Sequence, residues 1–216
     1  MLDSRTRMPL FYLPLRASPK HGKSQPLILS TAKKGDIWYA TVTDEEGALV
    51  ACGFSTARKA AERSVRGSLP KTLTQDIVHS SASPHLIDAL HKIYSGERCD
   101  RLPATALLST SKFLRKTYEL TMRIPKGKVT TYGRLAQSAG SRGLSRAVGN
   151  AMANNPLPLI VPCHRVVPST LRVGNYGGAG STAGSRTKRA LLIREGVKFD
   201  GEKILESCVW DPTGAR

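Results

Sequence analysis

The chain has 216 residues, 40% of them hydrophobic and 6% aromatic, with a formal net charge of +17, which suits one large or two small domains that each bury a core. That balance excludes an acidic, solvating chain and favours a polyanionic partner. No apolar run approaches the roughly 20 residues that cross a bilayer, and Leu10 to Leu15 is too short and Pro-interrupted for a signal segment, so no membrane contact is expected.

Residues 1–35, rich in Pro, Lys and Ser, read as containing a disordered arm or an edge strand. Ile37, Tyr39, Thr41 and Val42, then Asp44-Glu45-Glu46-Gly47, then Ala48 to Cys52 predict a β-hairpin. A helix capped by Ser55 or Thr56 follows, reaching Arg66. Ser83-Pro84 opens another, with Leu86, Leu90 and Ile93 on its apolar face. Glu97 to Thr105 is the expected linker. Ser111 to Arg123 is helical, with Phe113, Leu114, Tyr118 and Met122 near i, i+4 register. Thr131 to Ser138 predicts a short helix, Ala139 to Gly143 a turn, and Ser145 to Asn155 a second helix with Ser145 as its N-cap. Together these two helices suggest a helix-turn-helix. Pro158 to Pro162 then forms a strand-like apolar run that delivers Cys163 against His164, a thiol beside a base.

Charge follows this division. Residues 1–100 carry a net +4, residues 101–199 carry +15, and residues 200–216 carry −2. The positive potential therefore sits on the stretch holding the helix-turn-helix and the cysteine, as expected of a nucleic-acid-binding face. Cys52, Cys99, Cys163 and Cys208 lie far apart with no CxxC spacing, so no metal site is expected. A reducing, intracellular compartment is expected, with a Cys52–Cys99 bridge left open as an alternative.

Several segments resemble, in order, the O6-alkylguanine-DNA alkyltransferases. Ile124 to Tyr132 resembles the family's entry into its helix-turn-helix, Arg146-Ala147-Val148-Gly149 its recognition helix, and Asn155-Pro156 the turn after it. Pro162-Cys163-His164-Arg165 resembles the reactive motif, Val173 to Gly178 the substrate-pocket loop, and Leu191 to Gly196 the closing helix. The matches span roughly residues 111–199.

The resemblance implies an α/β N-terminal domain, a small antiparallel sheet with helices, over 1–100. It implies a mainly α DNA-binding and alkyltransferase domain over 101–199, with 200–216 as a C-terminal extension past the usual end. It further implies irreversible, once-per-molecule transfer of an alkyl group from O6-alkylguanine in double-stranded DNA to Cys163 after base flipping, by a monomer in the cytoplasm or nucleus, without a cofactor. In that scheme His164 takes the thiol proton through a water and Glu195 orients His164. Arg146 fills the space left by the flipped base, and Tyr132 pushes the 3′ phosphate and meets the base. Lys128, Thr131, Ala147 and Gly149 complete the DNA-binding surface. Tyr176, a Gly177 N–H and the Val166 carbonyl line the pocket, and Asn155 acts as a hinge. Lys126 stands where the family commonly has an aromatic residue, and Ala179 to Thr187 reads as a flexible Gly/Ser-rich insertion. Damage-sensing relatives that lack the cysteine, and regulators that use cysteine alkylation as a switch, are the alternatives. Cys163 argues against the former, and the absence of a second DNA-binding motif in 1–100 argues against the latter.

Overall fold

The computed structural model describes residues 16–17, 26–74, 77–107, 111–176 and 182–213. In chain order its elements are β1 (Arg16–Ala17), β2 (Leu27–Lys34), β3 (Ile37–Thr43), β4 (Leu49–Ser55), α1 (Arg58–Ser68), β5 (Ile77–His79), α2 (Pro84–Tyr94), β6 (Ala106–Leu107), α3 (Lys112–Met122), β7 (Thr130–Thr131), α4 (Tyr132–Ala139), α5 (Ser145–Ala153), β8 (Val166–Val167), α6 (Thr182–Arg194), β9 (Phe199–Asp200) and β10 (Lys203–Ile204).

The expected hairpin forms as β3 and β4, but its sheet has the order β4-β3-β2-β5 and is mixed. Residues 27–34 are thus an interior strand and not an edge, because β5 adds parallel to the free side of β2. No local pattern encodes that pairing, which joins residues some fifty positions apart. Ser55 and Thr56 do not cap α1. Ala57 holds the N-cap position without a side-chain bond, and the Ser55 hydroxyl accepts from the Ala57 N–H at 3.3 Å. Helix α1 buries Ala61 and Val65 on the sheet, while α2, opened by Pro84, buries Leu86, Ile87 and Leu90.

Helix α3 is capped by Ser111, whose hydroxyl accepts from Leu114 N–H at 3.2 Å. Thr131 does the same for α4 through Arg134 N–H at 3.2 Å. Ser145 is not the cap of α5: a 3₁₀ turn over Arg142–Leu144 runs straight into the helix, so Ser145 is already helical and its hydroxyl donates back to Arg142 at 2.8 Å. The helix also ends at Ala153, two residues before Asn155.

The run from Pro158 to Pro162 is not a strand. Three prolines at 156, 158 and 162 remove ladder donors. Asn155 instead closes a tight turn, accepting from Leu157 N–H at 3.0 Å and donating to the Val161 carbonyl at 2.8 Å. Leu159 takes a positive φ of 77° inside it, a strained conformation for a branched side chain held by the surrounding packing. Residues 182–187, expected to be flexible, form the first turns of α6; residues 179–181 lie outside the described residues. The C-terminal segment packs back, with Trp210 N–H donating to Val129 at 2.7 Å.

One core cluster joins both halves: Tyr39, Leu49 and Cys52 from the sheet pack with Tyr118, Val148, Leu157 and Ile160 from the helical part. Backbone bonds cross the same seam, from Cys52 N–H to Pro156 at 2.8 Å and from Leu49 N–H to Ala104 at 2.7 Å. The turn that carries the reactive motif is thereby seated on the sheet.

Candidate active site

Cys163, His164 and Arg165 form a single 3₁₀ turn that ends in β8. In such a turn neighbouring side chains diverge by about a third of a rotation, so Cys163 and His164 leave the backbone in different directions. Cys163 and His164 are buried, with 6% and 1% exposure. His164 Nε2 lies 2.9 Å from Glu195 Oε1. Burial lowers the imidazole pKa, with Glu195 opposing that fall, so the ring is neutral near pH 7. With the carboxylate as acceptor, Nε2 carries the hydrogen and Nδ1 keeps its lone pair. Nδ1 is buried and has no hydrogen-bond partner among the described residues. An unsatisfied buried acceptor on a neutral ring is able to take up a proton.

Glu195 is fixed from a second side. Arg165 forms a bidentate pair with it, Nε to Oε2 and Nη2 to Oε1, each at 2.7 Å, while Arg165 Nη1 donates to the Ile124 carbonyl at 2.7 Å. Burial alone would raise the Glu195 carboxyl, but hydrogen bonds and charge from His164 and Arg165 hold it down at about 2. Arg165, always charged, supplies the counter-charge and leaves His164 free to be neutral. The sheet half buttresses this pair. Gly96, at the end of α2, has φ +72°, and a Cβ there would meet the Arg194 carbonyl at 2.3 Å, so only glycine permits the approach. Lys126 reaches the Gly96 carbonyl.

Burial raises the Cys163 thiol pKa; the Asn155 amide, the Lys188 ammonium and the Tyr176 hydroxyl oppose that rise. Lys188 is 1% exposed, donates to the Val166 carbonyl at 2.7 Å, and sits 5.8 Å from the centroid of Tyr132. Burial depresses its pKa to about 8, with Cys163 opposing, which leaves it mostly cationic at neutral pH. Tyr132 is itself pushed up to about 12 by burial and stays a neutral phenol. The Tyr176 hydroxyl is buried, and the Cys163 thiol is the group it acts on. Its backbone is clamped by α6: a Cβ on Gly184 would lie 2.6 Å from the Tyr176 carbonyl.

Two cavities meet at Cys163. One, of about 180 Å³, lies between Tyr132, Gly149, Asn175, Tyr176 and Lys188. The other, of about 480 Å³, runs from Cys163 past Pro158 and Tyr176 to α1. The residues expected at the pocket, Cys163, Tyr132 and Tyr176, are thus brought together. His164 and Glu195 stand behind them, and the Val166 carbonyl already accepts from Lys188. Gly177 lies outside the described residues.

On the outer face, Arg146 is exposed in the first turn of α5 and Ala147 is half-buried. Thr131 serves as the α4 cap, and the Lys128 ammonium donates to the Ser207 carbonyl at 2.8 Å. Among the described residues no group of His, Cys, Asp or Glu could hold a metal ion, no helix is long and apolar enough to cross a membrane, and all four cysteines are free thiols. A Cys52–Cys99 bridge is therefore absent; the Cys52 thiol instead donates to the Pro158 carbonyl at 3.1 Å.

Sequence reasoning missed two residues of the site. Lys188 lies three, four and seven positions before Leu191, Leu192 and Glu195, so a lysine on the buried face of a helix was a readable signal. Arg165 belongs to the Pro-Cys-His-Arg motif, but its partner lies thirty residues away.

Residues 112–197 match the family described as 6-O-methylguanine DNA methyltransferase, DNA binding domain. A methylated-DNA--protein-cysteine methyltransferase from Thermococcus sibiricus is 44% identical over 112 residues, covering 50% of this chain and 59% of the relative. One from Methanothermobacter thermautotrophicus is 31% identical over 133 residues, covering 61% and 72%. The chain spans about half the length of several curated relatives it matches. Among solved structures, Mycobacterium tuberculosis OGT in complex with DNA superposes with a TM-score of 0.60 at 25% identity, over 78% of this chain and 92% of the other.

Proposed function

Because the chain belongs to the 6-O-methylguanine DNA methyltransferase family, we propose that it repairs O6-alkylguanine in double-stranded DNA by moving the alkyl group irreversibly to its own Cys163. The observation that carries this reading is a buried sulfur that lines a base-sized cavity and stands next in the chain to a neutral histidine with a bare Nδ1, whose Nε2 is held by an ionised glutamate. His164 takes the thiol proton through a water, and the thiolate attacks the alkyl carbon. A sulfur–carbon bond forms as the carbon–O6 bond breaks, and the electron pair leaves on the guanine, which takes up one proton. Thiol and alkylguanine become thioether and guanine, so the reaction balances without a cofactor and ends after one turn.

The guanine O6 lies inside the stack, so the nucleotide must be extruded at a cost of about a few kcal/mol. Arg146, exposed on α5, is the group proposed to fill the gap. Tyr132 and Tyr176 flank the flipped base, and Asn155 ties α5 to the turn bearing Cys163. Thr131, Lys128, Ala147 and Gly149 are proposed to shape the surface toward a minor groove, where little sequence is read. Residues 101–199 form the reacting unit in this reading, the described part of residues 1–100 buttresses it, and residues 203–213 pack back on it through Trp210 and Val129. It acts as a monomer where DNA is found and thiols stay reduced, in the cytoplasm or nucleus.

Intact-protein mass spectrometry after mixing with an O6-methylguanine duplex tests the reading. The expected result is one added methyl, about 14 Da, located on Cys163 by peptide mapping. No adduct, or an adduct on Cys52, Cys99 or Cys208, overturns it.

A further inference from the structure

The larger cavity is more than methyl transfer needs. A methyl occupies roughly the volume of a water, ~30 Å³, while about 480 Å³ opens beside Cys163 in a cavity that neither Tyr132 nor Lys188 lines. Its near wall is apolar, from Pro158 and Phe54. Its far wall is one face of α1, where Arg63, Ser64, Gly67 and Ser68 fall at i, i+1, i+4 and i+5. Small residues at 64, 67 and 68 leave a trough, and space beside the Gly67 Cα is open, since nothing lies within 4 Å of a Cβ built there. Arg63 stands exposed at the rim, with no hydrogen bond or ion pair among the described residues. No carboxylate is among the described residues that line the cavity. Among its other polar groups, Thr187 and Asn154 already donate to the Ala183 and Asn150 carbonyls, at 3.1 and 2.9 Å, so Arg63 is the cation of the lining.

We propose that Arg63, contributed by the sheet half to the wall of this cavity, selects O6 substituents ending in an anionic group such as a carboxylate. The proposal rests on the alkyl-transfer reading above. The flipped base occupies the compartment beside Tyr132 and Lys188, the scissile carbon meets the Cys163 sulfur, and the remainder of the substituent runs past Pro158 toward α1. The same sulfur–carbon bond forms and the same carbon–O6 bond breaks as in methyl transfer; Arg63 touches only the distal end and takes no part in them. A rim charge in water offers modest attraction, so preference of about three- to fivefold is expected at low ionic strength, fading with added salt.

The test uses free bases, so that no phosphate can engage Arg63: O6-benzylguanine, O6-(4-carboxybenzyl)guanine and O6-(4-aminomethylbenzyl)guanine, each with intact protein, adduct formation being followed by mass spectrometry. Wild-type protein should react fastest with the carboxyl compound. Arg63→Ala should level the carboxyl-to-neutral rate ratio, and Arg63→Glu should invert it toward the ammonium compound. Position 63 is exposed, so these variants are expected to fold. Ratios that stay the same across the three proteins, or a wild-type ratio of one, overturn the proposal while leaving alkyl transfer intact. Absence of any benzyl adduct, with methyl transfer from duplex DNA also absent, removes the reading on which it rests.

Discussion

Cys52 and Cys163 are two buried thiols on either side of one seam, with 2% and 6% exposure, yet their surroundings push them apart chemically. Burial raises both. At Cys52 the neighbouring Cys163 raises it again, and the thiol donates its hydrogen to the Pro158 carbonyl. At Cys163 an amide, an ammonium and a phenol oppose the desolvation, and two cavities give access. Burial by itself makes a cysteine inert. A reactive one needs polar partners aimed at its anion and a route for substrate.

The largest effect is expected at the sulfur itself: Cys163→Ala should abolish transfer entirely while duplex affinity, measured by anisotropy, stays within a few-fold. Residual transfer would mean that another thiol can serve. Next in size is Glu195→Gln, which leaves Arg165 without its counter-charge and frees the His164 ring. Transfer should fall about 10²-fold or more, and stability by roughly 3–5 kcal/mol, as for a broken buried ion pair. Its acid response should also change. Glu195, held at about 2 against an ordinary 4.5, gives stability that is complete above pH 4.5 and is lost as pH falls toward 2. His164, depressed below 6.5, adds a loss that begins as pH falls through 6.5. Urea midpoints from pH 7 to pH 3 should therefore decline in both proteins below pH 6.5, with the variant flatter below pH 4.5. An equally steep decline there would remove Glu195 from the pair.

Arg146→Ala comes third. It should slow transfer from duplex DNA by about tenfold or more while leaving reaction with free O6-benzylguanine nearly unchanged, since extrusion concerns only the stacked base. Equal losses on both substrates would assign Arg146 to folding or to the pocket.

What could be read in advance follows the range of the interactions. Helix α3 emerged from 3.6-residue periodicity, and the Cys163-His164 motif from adjacency. The parallel β2–β5 pairing, the 3₁₀ turn at Cys163 and the Arg165–Glu195 pair did not, because each depends on residues distant in sequence or on a turn closed by Asn155. Mistaking Ser145 for a cap has the same origin: its residue type fits, but the preceding 3₁₀ turn has already begun the helix. Glu195 was reached through resemblance alone; nothing local to Arg194-Glu195-Gly196 announces a partner thirty-one residues upstream.

Lys188→Met removes the cation that Cys163 has and Cys52 lacks. The thiol should then ionise only at higher pH, and transfer at pH 7 should fall by about tenfold if its pKa rises by about one. The rising limb of rate against pH should move upward with it. In the wild type the same support should drain as pH passes about 8, where Lys188 itself deprotonates. Single-turnover rates from pH 6 to 9.5 separate this from packing, which would lower the rate equally at every pH.

The smallest effect is expected at Cys52→Ala. Exchanging a sulfhydryl for a hydrogen removes one donor from the Pro158 carbonyl and leaves a small void in the shared core, a cost of about 1–2 kcal/mol. Transfer should stay within about twofold of wild type, because Asn155, not Cys52, closes the turn that sets Cys163. Denaturant midpoints and single-turnover rates on the same preparation decide it. A rate loss well beyond twofold at unchanged stability would show that the Cys52–Pro158 bond positions the nucleophile, and the two thiols would then be parts of one device.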